Sequence, residues 1–207
     1  MKILILSRYS NLGASSRIRI YQYLPHLKNN GFDCTLLPLL DDQYLQKIYS
    51  GSQKPIFSII NSYWKRFIFL FFLKKFDLIW IEKEIFPWLP SWFEQILGLF
   101  KIPYVVDYDD AIFHNYDLNP NFLIRNILKN KIKKIIENAS LVLVGNEYLM
   151  DYAKISGAQK IEMLPSVVDL KKYPVIKSNI NQVFNIGWIG TPKTQKYLHI
   201  LEKQVEK

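Results

Sequence analysis

The stretch KILILSRYSNLGASSRIRI, residues 2–20, sets the reading of the fold. Its opening, KILILS, is an apolar run without polar alternation, the pattern of a strand covered on both faces in a parallel sheet. NLGASSR, residues 11–17, follows as a turn with one glycine and two serines able to cap a helix. Beyond it Ile20, Leu24 and Leu27 recur at helical spacing, and Gly31 suits a helix end. The spacing predicts a helix over 17–30, kinked at Pro25, because proline lacks a donor and clashes one turn back.

Working outward, the same unit recurs. DCTLLPL (33–39), FDLIWIE (76–82), IPYVVDYD (102–109), LVLVG (141–145) and KIEML (160–164) read as further strands. Residues 41–55 read as polar and irregular, 64–76 as an aromatic helix, and 83–100 as a proline-punctuated segment. Residues 119–140 read as one helix whose apolar stripe is Ile124, Leu128, Ile132, Ile135 and Ile136, with Arg125, Lys129, Lys133 and Lys134 largely off it. NEYLMDYAKISG (146–157) reads as a short helix capped by Asn146. This alternation predicts an α/β fold, a Rossmann-like parallel sheet with helices on both faces and right-handed crossovers.

Ligands of such sheets sit beyond the carboxyl ends of the strands. That gathers three loops: residues 11–17, EKEIFP at 82–87, and DYDDAIFH at 107–114. After residue 166, residues 167–182 read as a linker, and the strand-turn-helix pattern restarts over 183–207, as the beginning of a second, truncated α/β domain.

Composition narrows the partners. A formal charge of +9 points to an anionic one, and no zinc-finger or RNA-recognition signature accompanies the lysines, so anionic lipid or phosphorylated sugar is favoured over nucleic acid. Cys34, the single cysteine, reads as a buried strand residue and suits a reducing compartment. The apolar run near the N-terminus is short for a signal peptide, which leads us to expect a cytoplasmic protein. Residues 64–76, bracketed by Lys65, Arg66, Lys74 and Lys75, lie on a membrane more readily than they cross one; a buried helix with basic ends in solvent fits equally. His26, His114 and His199 have no metal-ligand spacing, and His26 reads as a helix-surface residue.

Taken in order, GASSRIRIYQYLPHLKNNGF, FDLIWIEKE, IPYVVDYDDAIF, NASLVLVGNEYLMDYAKISGAQKIEMLPSVVDLKKY and IGWIGTPKTQKYL resemble the N-terminal domain and first C-terminal strand of a GT-B glycosyltransferase of family 4. LPSVVDLKKY is similar to that family's interdomain Pro-Asn-Gly-Val-Asp element at Pro165, Val168 and Asp169, while Ser166 and Val167 replace its Asn and Gly. The resemblance implies a retaining enzyme that moves a hexose from a nucleotide sugar to a lipid-linked or polysaccharide acceptor, without a resident metal or other cofactor. It implies an acceptor-side domain over 1–166 and a donor domain whose paired-glutamate motif is not in this sequence, so the chain alone is expected to be inactive.

Each loop then has competing readings. In NLGASSR, the resemblance puts Gly13, Ala14 and Ser15 near the donor diphosphate or acceptor; Arg17, nearer the turn than Arg19 and unable to share a helix face with it, is the better anion ligand, and an ordinary capped turn is the alternative. DYDDAIFH could be an Asp-x-Asp metal site built on Asp107 and Asp109, with Mg²⁺ or Mn²⁺ held by hard oxygens. It could instead present Asp109 and Asp110 to orient an acceptor hydroxyl, or it could be structural, with Asp107 capping the next turn. We favour Asp109 and Asp110 as the catalytic pair and expect no metal. Glu82 and Lys83 are candidate substrate ligands, a salt-bridged exposed loop with Glu84 being equally open. The resemblance places Gly190, Thr191 and Lys193 at the donor diphosphate. From other classes, a non-catalytic Rossmann-like interaction module and a metal-dependent phosphotransfer or signalling domain remain as alternatives.

Overall fold

The computed structural model describes residues 1–50, 55–170, 187–188, 190 and 195–200. Met1–Asp169 forms one compact unit and Leu170–Lys207 a second. Of the linker and second-domain expectations, residues 171–186, Thr191 and Lys193 lie outside the described residues; Trp188 and Gly190 are exposed, and Gln195–Leu198 is a 3-10 turn.

Among the described residues six strands form one sheet: β1 Lys2–Leu6, β2 Asp33–Leu36, β3 Leu78–Glu82, β4 Tyr104–Tyr108, β5 Leu141–Val144 and β6 Ile161–Met163. All neighbours are parallel and the order is β2-β1-β3-β4-β5-β6. The direction of winding therefore reverses between β1 and β3, the switch point at which such sheets open a crevice. The helices are α1 Ala14–Arg19, α2 Leu24–Asn29, α3 Asp42–Tyr49, α4 Ile56–Phe69, α5 Trp92–Leu99, α6 His114–Asp117, α7 Phe122–Leu128, α8 Lys131–Glu137 and α9 Glu147–Ile155.

Strand alternation divides the core. Leu4, Leu6, Ile79, Ile81, Val106 and Val144 pack with residues of α5, α8 and α9 on one face. Ile3 and Ile5 pack with Ile20 and Leu24, of the α1–α2 segment, on the other. Each such aliphatic side chain removed from water contributes roughly 1.5–3 kcal/mol. On the second face coverage thins away from α1 and α2, leaving Val105, Leu141 and Leu143 half-buried.

Several elements depart from the expected ones. The helix expected over 17–30 starts at Ala14 and breaks outright at Ile20 (φ −128°, ψ −62°). A 3-10 turn, Tyr21–Tyr23, follows, and Pro25 sits in the first turn of α2, where a missing N–H costs nothing. Of the stretch expected to be irregular, 41–55, residues 51–54 lie outside the described residues, and most of the rest is helical: Asp41 accepts from the Tyr44 N–H at 2.9 Å and starts α3. The helix expected over 119–140 is two, separated at Asn130 (φ −97°, ψ 7°), with Asn121 capping α7. Asn146 caps α9 by accepting from the Leu149 N–H at 3.0 Å.

Candidate active site

Glu82 and Asp107 are the last side chains of β3 and β4 on one face of the sheet, and they stand side by side in the parallel register. Both point to the face covered by α1, and α1 docks on them. The Glu82 carboxylate accepts from the Ser16 hydroxyl at 2.6 Å and the Arg8 N–H at 2.8 Å, and lies 3.1 Å from the Ser15 hydroxyl. Asp107 Oδ1 accepts from Arg19 Nε at 3.0 Å and Nη2 at 2.5 Å, with both residues almost wholly buried. Burial pushes the Asp107 carboxyl up against the pull of Arg19. Its Oδ2 is buried without a partner among the described residues. Ser16 and Arg19 are three apart and share a helix face, which is why SSRIR spells this contact.

Gly13 is required by close approach. Its φ is an ordinary −71°, but a Cβ there would lie 2.3 Å from the Tyr9 Cβ. The glycine thus lets the loop after β1 fold against the start of α1.

Directly after Glu82 the chain turns sharply. Lys83 has φ 69°, uncommon for a residue with a side chain, and the Glu84 N–H donates to the Glu82 carbonyl at 2.8 Å across it. Strain of this kind gathers where a side chain must be aimed. Here it aims Lys83 Nζ between Asp109 Oδ1, 2.8 Å away, and Asp110 Oδ2, 2.9 Å away. The Ser15 hydroxyl donates to the other Asp109 oxygen. Burial alone would raise the Asp109 carboxyl, but Lys83 and Ser15 outweigh it and hold it below the usual carboxylate range. Burial likewise works against the Lys83 ammonium, and Asp109 with Asp110 more than restores it. Side-chain exposure rises from 15% at Asp109 to 69% at Asp110, so this pair meets solvent while Asp107 does not.

Behind the crevice lies a second ionic layer. Glu84, buried, takes Lys131 Nζ at 2.5 Å, Arg8 at 3.2 Å and the Tyr116 hydroxyl at 2.7 Å. Lys131 also donates to the Phe86 carbonyl at 2.6 Å. Arg66, reaching from α4, donates to the carbonyls of Ile85 at 3.1 Å, Ser7 at 2.6 Å and Leu37. It thereby ties the ends of β1 and β2 to the loop after β3, and burial lowers its guanidinium to about 9. Glu94, in α5, accepts from the Ile85 N–H at 2.8 Å, and burial pushes its carboxyl up to about 7.

The structure thus brings Ser15, Lys83, Asp109 and Asp110 together and separates them from other candidates. Glu82, Lys83 and Glu84 do not form an exposed loop: their relative exposures are 1%, 7% and 3%. Glu82 is committed to α1 and so holds the loop rather than facing a ligand. Ala14 is exposed beside Ser15, whereas Arg17 turns back on its own loop, donating to the Asn11 and Leu12 carbonyls. Asp107 and Asp109, the two members of the Asp-x-Asp pair, have separate cationic partners, Arg19 and Lys83. Among the described residues no three of His, Cys, Asp and Glu gather as metal ligands. His114 bonds Asp117 at 3.0 Å and the Tyr148 hydroxyl at 2.7 Å, away from the aspartate pair's bonds. Arg19, Arg66, Glu94 and Lys131 carried no readable signal, since a charge in a helix ordinarily marks a solvated face.

No family model matches this sequence, and no curated protein does. Among solved structures it is similar to UGT73P12 of Glycyrrhiza uralensis, complexed with glycyrrhetinic acid 3-O-monoglucuronide, at TM-score 0.47 and 14% identity, over 77% of this chain and 48% of that one. It is similar also to UGT89C1 of Arabidopsis thaliana, complexed with UDP-L-rhamnose, at TM-score 0.42 and 11% identity, over 83% and 53%. The chain spans about half the length of these proteins.

Proposed function

We propose that this chain is the acceptor-side domain of a retaining glycosyltransferase that moves a hexose from a nucleotide sugar to a hydroxyl of a lipid-linked or polysaccharide acceptor. The observation that carries the reading is the Lys83–Asp109–Asp110 cluster at the carboxyl ends of β3 and β4. It offers an ionised carboxylate that solvent reaches and that two neighbours hold in place. An acceptor hydroxyl entering there donates its proton into a hydrogen bond with Asp109 or Asp110, which makes its oxygen a better nucleophile as the new C–O bond forms. The departing diphosphate would be neutralised from the donor side, where the motif resemblance puts Gly190, Thr191 and Lys193.

The same reading calls for no resident metal, because Lys83 Nζ occupies the place between Asp109 and Asp110 that a bridging cation would need. Its setting would be cytoplasmic, in the making of cell-envelope polysaccharide, with no nucleic-acid partner.

Saturation-transfer NMR of the chain against alkyl glycosides and nucleotide sugars tests this. The reading expects saturable glycoside binding that Asp109→Asn weakens about tenfold, a loss of about 1.4 kcal/mol. Absence of any saccharide binding, or glycoside binding that Asp109→Asn leaves unchanged, would overturn it.

A further inference from the structure

The side of the first unit formed by α4 and α5 is not built as a solvated surface. In α4 and the 3-10 turn after it, Leu70–Lys75, the residues Phe57, Ile60, Trp64, Ile68 and Phe71 follow at intervals of three or four and form one stripe. The stripe faces outward, Phe57 being 89%, Trp64 60% and Phe71 75% exposed. The opposite stripe, with Tyr63, Phe67, Leu70 and Leu73, packs on the core. α5 adds Trp92, also largely exposed. An open apolar groove runs between the two helices in two stretches of about 430 and 370 Å³, both lined by Phe67 and Phe93. It extends from Leu89, in the loop after β3, to Phe100 at the far end of α5.

Charge indicates what covers this face. Residues 55–76 contain Lys65, Arg66, Lys74 and Lys75 and no Asp or Glu. Arg66 is buried, whereas Lys74 and Lys75 lie over the rings of Phe100 and Phe72, at 5.0 and 4.8 Å. The acid of α5, Glu94, is buried beneath. A second copy docked here by a two-fold axis would press like charges together. A surface of anionic headgroups instead neutralises them, while aromatic rings enter the headgroup layer and the lysine stems lie along apolar surface with their charges in water.

By length and composition Ile56–Lys75 could cross a bilayer, yet only 17% of it is buried in the fold and that part is essential. Arg66, in its middle, holds three strand-end carbonyls, and Leu70 and Leu73 belong to the core. The stretch therefore cannot leave the sheet to span.

We propose that the α4–α5 face docks parallel to the surface of an anionic bilayer, with its aromatic stripe in the headgroup layer. The inference is independent of the reaction proposed above. Flotation of the full chain with phosphatidylcholine vesicles, pure or with about one lipid in three replaced by phosphatidylglycerol, tests it. Binding to the mixed vesicles should exceed binding to pure phosphatidylcholine by about tenfold or more. The pair Phe57→Ser with Trp64→Ser, and the pair Lys74→Glu with Lys75→Glu, should each lower it about tenfold, with circular dichroism unchanged. Ile155→Ser, on α9 and 81% exposed in the native chain, should leave it unaltered. If a pair fails to fold, Phe71→Ser alone is read in the same way. Failure to bind anionic vesicles, equal binding to pure phosphatidylcholine, undiminished binding by the aromatic pair, or a dimer that this pair dissolves without any vesicle binding would overturn the proposal.

Discussion

At the carboxyl edge of the sheet this molecule buries charge, and on its α4–α5 face it exposes hydrocarbon. Arg19, Arg66, Glu82, Glu84, Asp107 and Lys131 are each under 4% exposed, while Phe57, Trp64, Phe71 and Trp92 are each at least 60% exposed. The two regions reverse the usual partition in different ways. A buried charge is tolerable only when its partners are in place, so the edge must be rigid and each ion is tied to a fixed neighbour. An exposed aromatic stripe needs no neighbour within the chain and so contributes little to folding. The edge should therefore be sensitive to mutation in stability, and the face in binding.

The contrast breaks most sharply at Arg66. Arg66→Met keeps much of the stem but strips three carbonyls of their donor, and should cost about 3–5 kcal/mol. In a differential scanning experiment this is a fall of roughly 10 °C. A loss below about 1 kcal/mol would mean that water reaches those carbonyls and the edge is softer than its geometry indicates.

Arg19→Met should come next, at about 3 kcal/mol near pH 8, because it removes the cation that lets buried Asp107 ionise there. The loss should shrink as pH falls through about 7, where burial already favours the protonated Asp107 in the native chain. Denaturant melts at pH 8 and pH 5 would show it, and a pH-independent loss would make the contact one of packing only.

Glu94 gives a smaller effect with a defined sign. Its folded-state carboxyl, near 7, lies above the ordinary glutamate value of 4.5, so the folded chain keeps the proton longer than the unfolded one. Stability from this group is complete below about pH 4.5 and declines as pH rises through 7, because the folded state binds more protons across that window. Glu94→Gln, which still offers an oxygen to the Ile85 N–H, should flatten that decline by about 1–3 kcal/mol. Melts between pH 5 and 8 that keep the same slope would show that Glu94 is ionised throughout.

At the small end, Phe57→Ser and Trp64→Ser should each change the melting free energy by less than about 0.5 kcal/mol, as substitutions at exposed positions do. A larger loss would place the stripe among the residues that hold the fold, and the comparison between the two regions would fail.

Much of the architecture was legible before any coordinates. Each strand is a short apolar run bounded by polar or turn residues, and Asn146 stands directly before a periodic segment, so local chemistry suffices to place them. α3 carried its own signal too, in Asp41 followed by Leu45 and Ile48, but the polar residues between them masked it. The break at Asn130 left no comparable trace, since the apolar stripe of 119–140 continues across it. What the periodicity could not show is that Lys131, one residue later, turns inward to Glu84.

The candidate site divides along the same line. Its location, in the loops beyond β1, β3 and β4, follows from the alternation of strands and helices alone, because parallel winding brings those loops to one edge. The roles within it do not follow. Asp107, Asp109 and Asp110 look alike in the sequence, and Arg17 and Arg19 differ by one intervening residue. Only the fold supplies the cation that pairs with Asp107 from 88 positions away, or the Ser7 carbonyl that accepts from Arg66 across 59. The energy of a buried charge is set by partners within a few ångströms in space. The sequence by itself thus determined the sheet and the edge at which its charges gather, and the tertiary structure decided which of them are sealed into the scaffold and which still face solvent.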